Sequence, residues 1–163
     1  MKVPDDIKQF VSNARYYLEA ANKLPPPTKD AAHILLLITA WENIIIADRQ
    51  LHSWATNEPI NPKLLKDHEA KLDEMSKDSY VQRIIVGPSG KGTPAKEIKY
   101  ATGIELKKLR SLCLYGSSNE THEVAKLFER HWFSDSFRRS LVNKTEWTEM
   151  SIRIYEELEQ DNQ

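Results

Sequence analysis

Hydrophobic positions recur along this chain at helical intervals. Over residues 4–24 the apolar positions are Ile7, Phe10, Val11, Ala14, Tyr17, Leu18 and Ala21. Steps of three and one trace a single face, which predicts an amphipathic helix. Pro4 suits a first helical turn, where Asp5 and Asp6 complement the dipole. Pro25, Pro26 and Pro27 must end that helix, because consecutive prolines remove amide donors and crowd the preceding turn.

Thr28 or Asp30 can cap a second helix that runs to about Trp54. Its sequence, DAAHILLLITAWENIIIADRQLHSW, shows no polar face until Asp48. That pattern predicts the central, most buried helix, and the length without Gly or Pro argues against a buried strand. Asn57, Pro59, Asn61 and Pro62 mark a loop. A third helix is expected over 62–77, with Leu64, Leu65, His68, Leu72 and Met75 inward. Residues 80–86 (YVQRIIV) can continue it or form an extended piece. Residues 87–94 (GPSGKGTP) read as a flexible loop.

A fourth helix is expected over 95–115, with a weak point at Thr102-Gly103 and Ile98, Ala101, Leu106, Leu109, Leu112 and Cys113 inward. A short fifth helix is expected from Asn119 or Thr121 to about His131. A sixth should run from Ser134 or Asp135 to about Glu159, with Phe137, Leu141, Met150, Ile154, Tyr155 and Leu158 marking its apolar side. The expected fold class is all-α: an antiparallel bundle of four main helices plus one or two short ones, in a single domain over 1–163.

Composition narrows the function classes. Hydrophobic residues make up 40% and charged residues 29% of 163 positions, a balance that fits a globular chain rather than a disordered one. Twenty-three Lys and Arg face 24 Asp and Glu. Any contact with nucleic acid must therefore use a local basic patch instead of an overall excess. A single cysteine, Cys113, cannot staple the monomer and suits a reducing compartment. The first residues lack the apolar core of a signal peptide. The longest apolar run, 33–46, carries Glu42 and Asn43 and reads as too short to span a bilayer. The expected location is the cytoplasm, with no membrane partner.

The GPSGKGT stretch resembles a phosphate loop, but Ile85 stands six residues before Lys91 where a Walker A loop needs Gly. No nucleotide cofactor is expected. The five histidines, His33, His52, His68, His122 and His131, are well separated, and no metal or other cofactor is expected. Cys113 sits on an apolar helical face and reads as a packed thiol.

Glu42 is the most informative residue. It shares a face with Leu35, Ile38 and Ile46, so its carboxylate must be paired, protonated or turned into a cavity. Thr39 and Asn43 beside it suggest a polar pocket, although a structural ion pair accounts for the same pattern. His68 with Lys71, and Arg110 with Lys107, are the expected partners from two other helices. The basic clusters Lys107-Lys108-Leu109-Arg110 and Arg138-Arg139, near Tyr115, Trp132 or Trp147, could hold RNA by charge and stacking, or be solvated faces.

Three segments carry a family resemblance: TAWENIII in the second helix, DHEAKL at 67–72 and LRSLCLY at 109–115. Together they resemble the AbiV-type abortive-infection proteins of the HEPN superfamily, over about half the chain. The resemblance implies a HEPN-like bundle, often dimeric, from a prokaryotic defence or toxin setting that acts on RNA or a translation component. Many HEPN proteins are metal-independent ribonucleases. On that implication Glu42, His68 and Arg110 form the catalytic group, with Lys71, Lys107, Asn43 and Tyr115 as binding residues. The chain departs from the family's Arg-x4–6-His motif: Arg49 is three before His52, Arg110 is twelve before His122 and Arg130 is adjacent to His131. Lys126 is five before His131, but Lys does not replace Arg like for like. The alternative reading is a non-catalytic homodimer that recognises protein through Trp54, Trp132 or Trp147.

Overall fold

The computed structural model describes residues 2–24, 31–77, 103–116 and 135–160, and all regular structure among them is α-helical. In chain order the helices are α1 (Asp5–Lys23), α2 (Ala31–Thr56), α3 (Lys63–Lys66), α4 (His68–Lys77), α5 (Gly103–Tyr115) and α6 (Asp135–Gln160). The expected loop at 87–94, the undecided stretch at 80–86 and the expected helix at 119–131 lie outside the described residues.

α1 follows its sequence pattern. Ile7, Val11, Ala14, Leu18 and Ala21 are buried, and Phe10 and Tyr17 pack half-buried beside them. Pro4 is the N-cap, with Asp5 and Asp6 in the first turn. The face seats against α2, the 26-residue helix that also meets α4, α5 and α6. Ile34, Leu37, Ile38, Ala40, Trp41, Ile44, Ile45 and Ala47 of α2 are wholly buried. Its hydrophobic residues surround the axis because it has neighbours on nearly every side. The buried His33 sets the first turn of α2 against α1, with Nδ1 3.0 Å from the Ala21 carbonyl. At the far end Asn57 adopts φ 58°, a left-handed conformation that Asn tolerates just past a helix terminus.

The whole of α2 is long and apolar enough to cross a membrane, and most of its apolar part is buried inside the protein. The apolar run of 33–46 lies within it, and charge returns directly after that run at Asp48 and Arg49. The burial is against α1, α4, α5 and α6.

Cross-helix pairs give the helix directions. Lys8 pairs with Glu156 and Arg15 with Glu149, so α1 and α6 run in opposite senses. The guanidinium of Arg15 is bidentate on Glu149, and that hydrogen bonding raises its pKa. Glu42 with His68 and Arg49 with Glu74 ascend α2 and α4 together. Asp48 with Lys144, and Trp54 edge-on to Tyr155, do the same for α2 and α6. The neighbours of α2 are therefore of both senses rather than uniformly antiparallel.

Two expected elements differ in detail. The helix expected over 62–77 is split: Asp67 is extended, closing α3 and capping the start of α4, where its side chain accepts from the Glu69 amide at 2.9 Å. The break rotates Leu65 out to 41% exposure while Leu64 and Leu72 stay buried. In α6 the expected apolar side proves to be two faces. Leu141 and Ile152 are buried, together with Ser140, Lys144, Thr145 and Thr148. Met150, Ile154 and Leu158 point outward, as does Trp147.

Candidate functional site

The break at Asp67 has a consequence for chemistry. It begins α4 at His68, and that first position sits level with the middle of α2. There Glu42 is 6% exposed at its side chain, on a helix otherwise packed with Ile, Leu and Trp. A carboxylate in that setting needs partners to offset lost hydration. His68 Nδ1 lies 2.9 Å from Glu42 Oε2. A carboxylate only accepts, so Nδ1 carries the hydrogen and donates it. The neutral ring then has its acceptor at Nε2, on a side chain 42% exposed to solvent.

Arg110 reaches the other oxygen from α5, with Nε 3.4 Å from Oε1. The pair is close enough for charge attraction but out of line for a hydrogen bond, and both atoms lack an aligned partner. Buried polar atoms in that condition are uncommon in native folds and ask for an explanation. Among the described residues the Arg110 guanidinium makes no hydrogen bond, and its charge is paired with Glu42 alone. Glu42 thus gathers one imidazole and one guanidinium, from two helices, around a single buried carboxylate.

Lysines stand on the two helices that supply His68 and Arg110. Lys71 stands one turn after His68 on α4 and is buried along most of its length at 9% exposure. Lys107 stands one turn before Arg110 on α5 and pairs with Glu69 at 3.1 Å. The residues placed here by sequence that the structure brings together are therefore Glu42, His68 and Arg110, with Lys71 and Lys107 on the same two helices.

Four expected residues do not join them. Asn43 donates to the Thr39 carbonyl at 2.8 Å, and Thr39 donates to the Leu35 carbonyl at 2.8 Å. Both side chains are spent on their own helix, a habit of short polar side chains in helix interiors. Tyr115 is 84% exposed at the end of α5, five residues on from Arg110 and so about 140° around the helix. Trp54 is half-buried against Tyr155 rather than presented to a partner. Trp132 lies outside the described residues.

Sequence reasoning missed Glu69, whose pairing tethers Lys107. It also missed the α2 pairs Arg49–Glu74 and Asp48–Lys144, at 3.2 Å and 3.0 Å. The signal available for these was the abrupt return of charge at Asp48 and Arg49 after a run of apolar residues. Among the described residues no group of three or more His, Cys, Asp or Glu is clustered for a metal ion. A pocket of about 360 Å³ beside Arg49, His52, Glu58 and Glu74 is lined by residues that already pair with one another. Comparison with protein family models, with curated proteins and with solved structures finds no match.

Proposed function

We propose that this chain is a HEPN-like, AbiV-type protein of a prokaryotic defence or toxin setting. It binds RNA at the Glu42–His68–Arg110 group and cuts it without a metal. The observation that carries the reading is the shared carboxylate: His68 on one Glu42 oxygen at 2.9 Å and Arg110 on the other at 3.4 Å. A buried carboxylate holding one imidazole nitrogen fixes the ring and directs the opposite nitrogen outward as a base. Supporting it are Arg110, Lys71 and Lys107 on the two helices that meet at Glu42 and the resemblance in TAWENIII, DHEAKL and LRSLCLY. A location in the cytoplasm belongs to the same reading.

The chemistry is in-line attack by a ribose 2′-oxygen on the adjacent phosphorus. His68 Nε2 takes the 2′ proton while the new P–O bond forms. Arg110, with Lys71 and Lys107 near, stabilises the charge that gathers on the phosphorane oxygens. The bond to the 5′-oxygen then breaks, that oxygen takes a proton from water, and the imidazolium returns its proton to solvent. The products are a 2′,3′-cyclic phosphate and a free 5′-hydroxyl. Glu42 is a positioning residue, acting through the orientation of His68.

The test is cleavage of an end-labelled structured RNA by the purified chain with chelator present. Cleavage should leave a cyclic phosphate, fail at a 2′-deoxy position, and be lost in His68→Ala and Arg110→Ala with helicity unchanged. Intact RNA with the wild-type chain would overturn the catalytic part of the reading.

A second reading, the homodimeric interaction module, is favoured by a separate observation, the apolar outer face of α6.

A further inference from the structure

α6 is built the wrong way round for a surface helix of a monomer. Its inner face buries Ser140, Lys144, Thr145 and Thr148 beside Leu141 and Ile152. Its outer face carries Trp147, Met150, Ile154 and Leu158 at 48%, 43%, 46% and 55% exposure. Their steps of three, four and four make one continuous stripe along the helix. The buried threonines bond their own helix, Thr145 to the Leu141 carbonyl and Thr148 to the Lys144 carbonyl, both within 2.9 Å. They need nothing from the outer face, where Trp147, Met150 and Ile154 stay exposed.

The charges beside the stripe identify what does. Arg139, Glu146, Arg153 and Glu157 are all exposed and fall on one flank of it. Positive and negative alternate along that flank. Two copies of α6 laid antiparallel, crossing at the level of Thr148 and Glu149, set Glu146 of one against Arg153 of the other. The same register sets Arg139 against Glu157, Trp147 against Met150 and Asn143 against Ile154. A parallel pairing would set this flank against the opposite one, where Ser151 and Tyr155 stand, and leave these charges with no opposite charge across the seam. Self-complementarity of this kind is the mark of a two-fold interface, in which each contact occurs twice.

We propose that α6 is the self-association surface of this chain, pairing antiparallel with α6 of a second copy around Trp147 and Met150. The inference rests on the homodimer reading and is independent of the ribonuclease reading. It gives the dimer a surface, a direction and a register. One helix pair of roughly 30 Å contact length is smaller than the interface of about 800 Å² per partner usual in stable complexes. The dimer is accordingly reversible and dissociates on dilution.

The experiment is sedimentation velocity of the full chain over a wide concentration range, with four variants checked for native helicity. Wild type should shift from monomer to dimer, and Met150→Asp should stay monomeric throughout. Glu146→Arg and Arg153→Glu should each weaken dimerisation at least about tenfold, through like charges set opposite each other. The double variant carrying both changes should recover wild-type association, because the exchanged charges again meet their opposites. A dimer indifferent to Met150→Asp would overturn the α6 assignment while leaving a dimer in place. A wild-type chain monomeric at every concentration would overturn both. A double variant no better than the singles would overturn the antiparallel register.

Discussion

Glu42 and Met150 are misplaced in opposite directions. Glu42 puts a charge among the buried apolar residues at the middle of α2, and Met150 puts a thioether chain on the exposed side of α6. α1 shows what the ordinary arrangement looks like in the same molecule, with five apolar residues in and its charges out. Hydrophobic patterning decides where a helix sits, so a residue that breaks the pattern is retained at a cost to the monomer. The inward break has its compensation in sight, in His68 and Arg110. The outward break has none among the described residues, and the proposed antiparallel α6 pair would supply it. On the two proposals the exceptions mark two kinds of site, one completed within the chain and one completed by a second copy.

The largest separation of the two should come from chemistry. His68→Ala should slow RNA cleavage about 10²–10⁴-fold, the range for removing a general base, with Met150→Asp cutting at a rate like wild type when assayed per protomer. Quench-time assays under chelator check both. Equal losses in the two variants would mean that the α6 surface is part of the cutting site.

Stability should separate them next. Leu18→Ala, at a position 5% exposed on the inner face of α1, should cost roughly 2–5 kcal/mol. Met150→Ala should stay within about 0.5 kcal/mol of wild type at concentrations where the chain is monomeric. Urea midpoints at constant slope read the difference. A large loss for Met150→Ala in dilute solution would show that its side chain packs within the monomer.

Glu42→Gln falls between these. It keeps the volume but removes the charge that His68 and Arg110 share, and should cost roughly 1–3 kcal/mol. The partial exposure of both partners keeps this below the penalty for a fully enclosed pair. Thr148→Val should be smallest, because the hydroxyl it removes bonds only its own helix.

Much of this was legible in the residues. The α1 face and the central place of α2 follow from spacing alone, because each buries a continuous apolar surface. Glu42 could be singled out for the same reason, as could the helices that supply its partners. The break at Asp67 could not be read, because a one-residue interruption leaves the apolar spacing of 64–72 nearly intact. The two faces of α6 were merged for a related reason. Its apolar residues are split between inside and outside, and a periodicity argument assumes that all of them seek the same side. Asn43 and Thr39 were assigned to the site by proximity to Glu42, but short polar side chains in a helix turn readily to the carbonyl four residues back.

The central claim is that Glu42 acts through His68 as one unit with it. The direct measurement is a double-mutant cycle on the RNA cleavage rate, using Glu42→Gln, His68→Ala and the two together. The account predicts that Glu42→Gln alone slows cleavage about ten- to hundredfold and adds almost nothing once His68 is gone, since a positioning group has no effect without the group it positions. Losses that multiply in the double variant would contradict it, and so would full activity in Glu42→Gln.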